Sequence, residues 1–134
     1  MSADVNIKII EQVYDAFGRG DVAAILDVVT DDVNWGAETT STVAPWYGVR
    51  HGKDGVAQFF ADYGSAMEVQ EFGPISIAAN DNDVLTVVRL RATSRATGRS
   101  VAMDLHHVFT FRDGRIAYYR GTEDTAQTEA ALRN

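Results

Sequence analysis

The chain has 134 residues, enough for one domain that buries a core without disulfide or metal staples, and its 46% hydrophobic and 23% charged residues exclude disordered, collagen-like and coiled-coil classes. A formal net charge of −7 argues against nucleic acid or an anionic membrane surface as the main partner, because phosphate binding needs a basic face. No cysteine is present, which removes disulfides, thiolate metal sites and cysteine nucleophiles and is compatible with a reducing compartment.

The opening MSADVNIKII has no basic region followed by a long apolar run, and no later stretch approaches the roughly 20 apolar residues of a membrane span, so a cytoplasmic location is expected. Residues 4–17 carry Ile10, Val13, Tyr14 and Phe17 at helical spacing, with Asp4 as the expected N-cap. The helix should stop at GRG, where Asp21 caps a second helix over VAAILDVV, and the short link makes the two a hairpin. DDVNW then reads as a short extended piece. Residues 36–53 concentrate Gly, Pro, Ser and Thr and read as a long loop, a kind of segment that often carries function. A third helix is expected at about 54–66, with Val56, Phe59, Phe60 and Tyr63 on one side.

Beyond residue 66 the period changes from 3.6 to 2. EVQEF, ISIAA, DVLTVVRLRATSR, SVAMDLHHVFTF and RIAYYRGTE read as strands, the last three joined by tight turns into an antiparallel meander. The order of elements predicts an α+β domain spanning 1–134, with helices gathered on one face of a curved sheet. DTAQTEAALR fits a further helix start, with Asp124 as N-cap and Gln127 completing a capping box.

Adjacent strand residues point to opposite faces, so His106 and His107 cannot both face the core. The odd positions Val101, Met103, Leu105, Phe109 and Phe111 are large and apolar, which assigns His107 inward and His106 outward. An inward imidazole can donate to a developing enolate or shuttle a proton; the alternative is a core histidine bonded to a neighbour. His106 reads as a surface or dimer-face residue. With three histidines in all, one of them His51 in the loop, no metal-ligand spacing is present and no metal is expected. Arg89 and Arg91 share a face and are expected outward, leaving Val88 and Leu90 for the core.

Which residue faces His107 depends on the RDGR turn. A two-residue type I′ turn at Asp113-Gly114 puts Arg120 opposite; a three-residue loop with a glycine bulge puts Tyr119 there, with Gly121 and Glu123 on the same face. The last strand itself does not choose between them.

YDAFGRGD at 14–21, DDVNW at 31–35, YGVRHGKDGVAQFF at 47–60 and HVFTFRDGRI at 107–116 together resemble the NTF2-like superfamily, and within it the SnoaL-like and ketosteroid-isomerase-related proteins. The resemblance implies a cone-shaped α+β barrel in which three N-terminal helices pack on the concave face of a curved, mostly antiparallel sheet. It also implies an apolar pocket at the wide mouth and a homodimer through the outer sheet face. Activity does not follow from such a scaffold, which carries enzymes and non-catalytic binders alike.

His107 matches the position of the isomerases' oxyanion-hole acid and of the cyclases' catalytic histidine. The resemblance also favours the bulged turn, since the cyclases' general base must face inward on the last strand. That base falls on Gly121, however; the isomerase base falls on Ala37 and the isomerase tyrosine on Val13. Nearby replacements are Glu38, Glu123 and Tyr14. A carboxylate in an apolar pocket acquires the raised pKa that a general base near neutrality needs, whereas Glu38 as a solvated loop acid would not. Asp124 matches an aspartate of related proteins, but the helix cap is the favoured reading.

The expectation is an apolar pocket shaped by Tyr14, Trp35, Trp46, Phe59, Tyr63, Met103, Phe109 and Tyr119, although Trp35 fits the core equally well. His107 would be the acid or oxyanion donor and Glu38 or Glu123 the base. The chemistry would be cofactor-free proton transfer on a small hydrophobic carbonyl compound: isomerisation, aldol-type cyclisation or dehydration. The alternatives are a non-catalytic small-molecule binding module, which the losses at Ala37 and Gly121 favour, and a dimeric interaction module.

Overall fold

In the computed structural model, which describes residues 2–133, helix α1 (Ala3–Gly18) begins at a Ser2 cap whose side chain accepts from the Val5 amide at 3.2 Å. Asp4, the expected cap, is instead the second residue of the first turn, where its negative charge still suits the helix dipole. Helix α2 (Val22–Leu26) starts as expected at Asp21, which accepts from the Ala24 amide at 3.1 Å. It is shorter than its apolar run, because Val29 is claimed by strand β1 (Val29–Ala37). The loop predicted at 36–53 is trimmed at both ends. Strand β2 (Gly48–His51) pairs with β1, and helix α3 (Gly52–Ala66) follows directly, leaving 38–47 as the connection.

EVQEF and ISIAA are halves of one strand, β3 (Met67–Ala79), broken in register at Val69/Glu71 and Pro74/Ser76. β3 lies at the sheet edge, where a proline without an amide donor is tolerated at a bulge. β4 (Asp83–Ser94), β5 (Ser100–Arg112) and β6 (Arg115–Thr122) form the expected antiparallel meander. β1 adds to β6 in parallel, giving a six-stranded sheet in the order β2-β1-β6-β5-β4-β3.

The three N-terminal helices are joined by a fourth, α4 (Thr125–Leu132). Asp124 caps it, accepting from the Gln127 amide at 3.3 Å and from the Gln127 side chain at 3.1 Å. Gln127 does not close a capping box; its oxygen instead accepts from the Ala102 amide of β5 and ties α4 to the sheet. Ile10, Val13 and Tyr14 of α1 and Val56 of α3 pack with Val84, Val88 and Phe109 on one face of the sheet. A second cluster, containing Trp46, Met67, Leu90 and Met103, lies toward α4, with Phe59 and Leu105 touching both. Arg89 and Arg91 are exposed, as expected, beside Asp104 and Glu71.

The last hairpin takes a register that neither sequence alternative described. Asp113 (φ 52°) and Gly114 (φ 79°) form a two-residue turn with Arg112 opposite Arg115, as a type I′ turn requires. Between Phe111/Ile116 and Thr110/Tyr118 the register then shifts, leaving Ala117 as an extra residue in β6. His107 consequently faces Gly121, and Phe109 faces Tyr119. The preferred three-residue bulged turn is absent; a different bulge, inside β6, moves the register by one in the opposite sense. The face holding Tyr119 and Gly121 is nonetheless the inward one.

Candidate functional site

Between α1, α3 and the sheet lies an apolar cavity of about 80 Å³. Val13, Tyr14 and Phe17 contribute from α1, and Phe59, Phe60 and Tyr63 from α3, in each case because helical spacing turns one stripe toward the sheet. The sheet supplies Trp35, Phe72, Leu90, Leu105, His107, Phe109 and Tyr119. Of the aromatic and sulfur side chains expected to shape a pocket, Tyr14, Trp35, Phe59, Tyr63, Phe109 and Tyr119 line this cavity. Trp46 and Met103 instead sit in the adjoining cluster toward α4.

His107 is buried, and His106 is exposed on the opposite face. The His107 Nδ1 atom lies 2.8 Å from the Tyr14 hydroxyl, which lies 2.6 Å from the Thr86 hydroxyl. Thr86 is directly opposite His107 in the β4–β5 ladder. Burial pushes the His107 imidazole down to about 3, and the neighbouring His106 acts in the same direction, so His107 is neutral near pH 7. Burial likewise pushes the Tyr14, Tyr63 and Tyr119 phenols up and keeps them protonated.

The hydrogen-bond chain can run in either of two directions, and each leaves one hydrogen outside it. With Thr86 donating to Tyr14 and Tyr14 donating to Nδ1, His107 carries its proton on Nε2, the nitrogen the chain leaves free; in the reverse direction Nδ1 carries it and the buried Thr86 hydroxyl hydrogen is left over. Only the first direction places the spare donor on the imidazole, where an acceptor oxygen in the cavity can meet it.

Neither carboxylate expected as a base lines the cavity. Glu38 is exposed and pairs with the Arg120 guanidinium at 3.0 Å. Glu123 accepts from Trp46 Nε1 at 3.1 Å, from the Tyr47 hydroxyl at 2.9 Å and from the Thr128 hydroxyl. Both acids border a separate pocket of mixed polarity, about 190 Å³, which also touches Gly121. Among the described residues no group of three or more His, Asp or Glu side chains is arranged to hold a metal ion.

Sequence reasoning missed Thr86. Its signal was present: Thr86 shares the inward alternation of Val84, Val88 and Leu90, so it was a polar residue on a core face. Tyr14 was expected only to shape the pocket, whereas it also fixes the imidazole.

The helices back one curved, mostly antiparallel sheet, and solved structures of the NTF2-like fold superpose on nearly the whole chain. An NTF2-like protein of unknown function from Burkholderia pseudomallei is 24% identical, with a TM-score of 0.89 over 97% of this chain and 98% of its own. TerC, crystallised with polyporic acid, is 22% identical, with a TM-score of 0.84 over 97% and 99%. An epoxide hydrolase of the LEH-like type from M. tuberculosis is 18% identical, with a TM-score of 0.73 over 97% and 90%. At these identities the likeness establishes the fold alone. None of the curated proteins matches the chain. The SnoaL-like domain family matches residues 10–119, and the chain belongs to that family.

Proposed function

We propose that the cavity binds a small, largely apolar carbonyl compound with its oxygen on His107 Nε2–H, and that this donor stabilises the enolate formed when solvent hydroxide takes an α-proton and leaves as water. The observation that carries this reading is the Thr86–Tyr14–His107 chain, which engages Nδ1 of a neutral imidazole and leaves Nε2 free beside an aromatic cavity. A donor fixed in a low-dielectric site gains strength as charge develops on the oxygen it contacts. Isomerisation, aldol-type cyclisation and dehydration all pass through such an enolate or enol. That neighbours of the same fold are named as an isomerase, an epoxide hydrolase and polyketide cyclases agrees with a ligand-handling cavity.

A second reading is favoured by one specific observation: Glu38 and Glu123 are bonded elsewhere, and no carboxylate lines the cavity. On that reading the protein binds the same ligands without turning them over. Exchange of the α-protons of 1-indanone in D2O, followed by NMR, separates the two. Catalysis predicts exchange well above buffer that is abolished in His107→Ala; saturable binding without exchange supports the binding module, and failure to bind removes both.

We further propose a homodimer through the outer sheet face. Leu85, which alternates outward from Val84 and Thr86, is half exposed there, and Tyr118 of β6 is also exposed.

A further inference from the structure

Gly121 and Tyr119 hold a relationship that neither the histidine chain nor the two carboxylates use. A Cβ atom built on Gly121 would lie 2.4 Å from the Tyr119 hydroxyl and 3.1 Å from His107 Cδ2. Both distances are below ordinary van der Waals contact, so the phenol occupies the space that any side chain at position 121 would fill. The register explains this placement. The extra residue in β6 sets Gly121 opposite His107, and Tyr119, two residues away on the same face, leans back along the strand over the bare backbone. Trp35, tilted by 30° against the phenol with ring centroids 4.2 Å apart, supports it from the side.

The Tyr119 hydroxyl makes no hydrogen bond among the described residues, and Cδ2 is the ring atom bonded to Nε2. The phenol and the free imidazole nitrogen therefore border one small region of the cavity wall. We infer that Tyr119 is a second ligand-contacting donor, placed by the missing side chain at Gly121, so that Tyr119 and His107 together clasp an acceptor oxygen of the bound compound. This inference rests on the reading of the cavity as a ligand site and deepens it by naming the chemistry selected. With two donors and no carboxylate on its wall, the cavity takes aromatic or alicyclic compounds bearing carbonyl or enolate oxygen. Hydrocarbons of the same shape and ammonium compounds are disfavoured.

The test uses a matched pair, 1-indanone and indane, which differ chiefly in the carbonyl oxygen. Affinities are measured for the wild type, Tyr119→Phe, Gly121→Ala and His107→Ala, and the carbonyl stretch of bound indanone is recorded by infrared difference spectroscopy. Wild type should prefer the ketone, with the stretch lowered by two donors. Tyr119→Phe, which removes only an unpartnered hydroxyl, should cut that preference about tenfold and return the stretch part of the way to its free value. Gly121→Ala should do the same by displacing the phenol. A ketone preference and carbonyl stretch that stay at wild-type values in Tyr119→Phe, while His107→Ala abolishes the preference, would overturn the role of Tyr119 and leave the cavity reading intact. A wild-type stretch retained in Gly121→Ala would overturn the claim that the bare glycine places the phenol. If neither probe binds the wild type, the inference falls together with the cavity reading.

Discussion

The imidazole of His107 owes its properties to two residues that are distant in sequence and adjacent in space. Tyr14 is 93 positions away and Thr86 is its cross-strand neighbour. Strand alternation was enough to point His107 inward, since each odd-numbered neighbour is apolar. It could not reveal which helix residue meets the ring, because that depends on how α1 lies across the sheet. Tyr14→Phe should cost about 1–3 kcal/mol in urea unfolding, since it leaves Thr86 and Nδ1 both unpaired. The pH dependence follows from burial. The unfolded histidine titrates near 6.5 and the folded one near 3, so between those values the unfolded chain takes up a proton that the native state refuses. This contribution to stability is complete above about pH 6.5 and is lost as pH falls toward 3. Between pH 7 and 4.5 the wild type should lose on the order of 2 kcal/mol more than a His107→Gln variant, read from paired urea titrations. Equal losses would show that His107 titrates normally.

At the level of elements, the sequence made the meander, α3 and the caps at Asp21 and Asp124 legible, because each rests on local chemistry: alternation, helical spacing, or a side chain meeting a nearby amide; the cap expected at Asp4 fell to Ser2. Register was not legible. Asp113 and Gly114 announced a two-residue turn, but the bulge at Ala117 arises where β6 must pair with β5 on one edge and with β1 in parallel on the other. No local pattern records that demand. The destination of Glu123 was hidden for a similar reason. Instead of entering the cavity, its carboxylate ties the 38–47 connection, through Trp46 and Tyr47, to α4, through Thr128. Glu123→Ala takes the acceptor from the Trp46 and Tyr47 donors and leaves Thr128 only the Asp124 carbonyl, and should destabilise the protein by about 2–4 kcal/mol. Hydrogen exchange should quicken in 125–132 and 38–47 while β4 and β5 stay protected; uniform quickening would contradict this local role.

For the molecule as a whole, the order of elements and four short motifs carried the fold, since helix–helix–strand–helix followed by a strand run admits few packings. Residue patterning alone did not place β1 beside β6 in parallel, a pairing between elements about 80 residues apart. The outer sheet face bears on assembly: sedimentation should give twice the chain mass, and Leu85→Lys should halve it without unfolding the protein. A monomeric wild type would contradict the proposed dimer. The proposed function turns on His107 being a neutral, ligand-facing N–H donor. It is tested most directly by 15N NMR of histidine-labelled protein, with and without 1-indanone. The predicted result is a neutral Nε2–H tautomer that persists from pH 7 to pH 4.5 and whose Nε2 resonance alone moves strongly as the ketone binds. A charged ring, an Nδ1–H tautomer, or an Nε2 resonance unmoved by saturating ketone would contradict it.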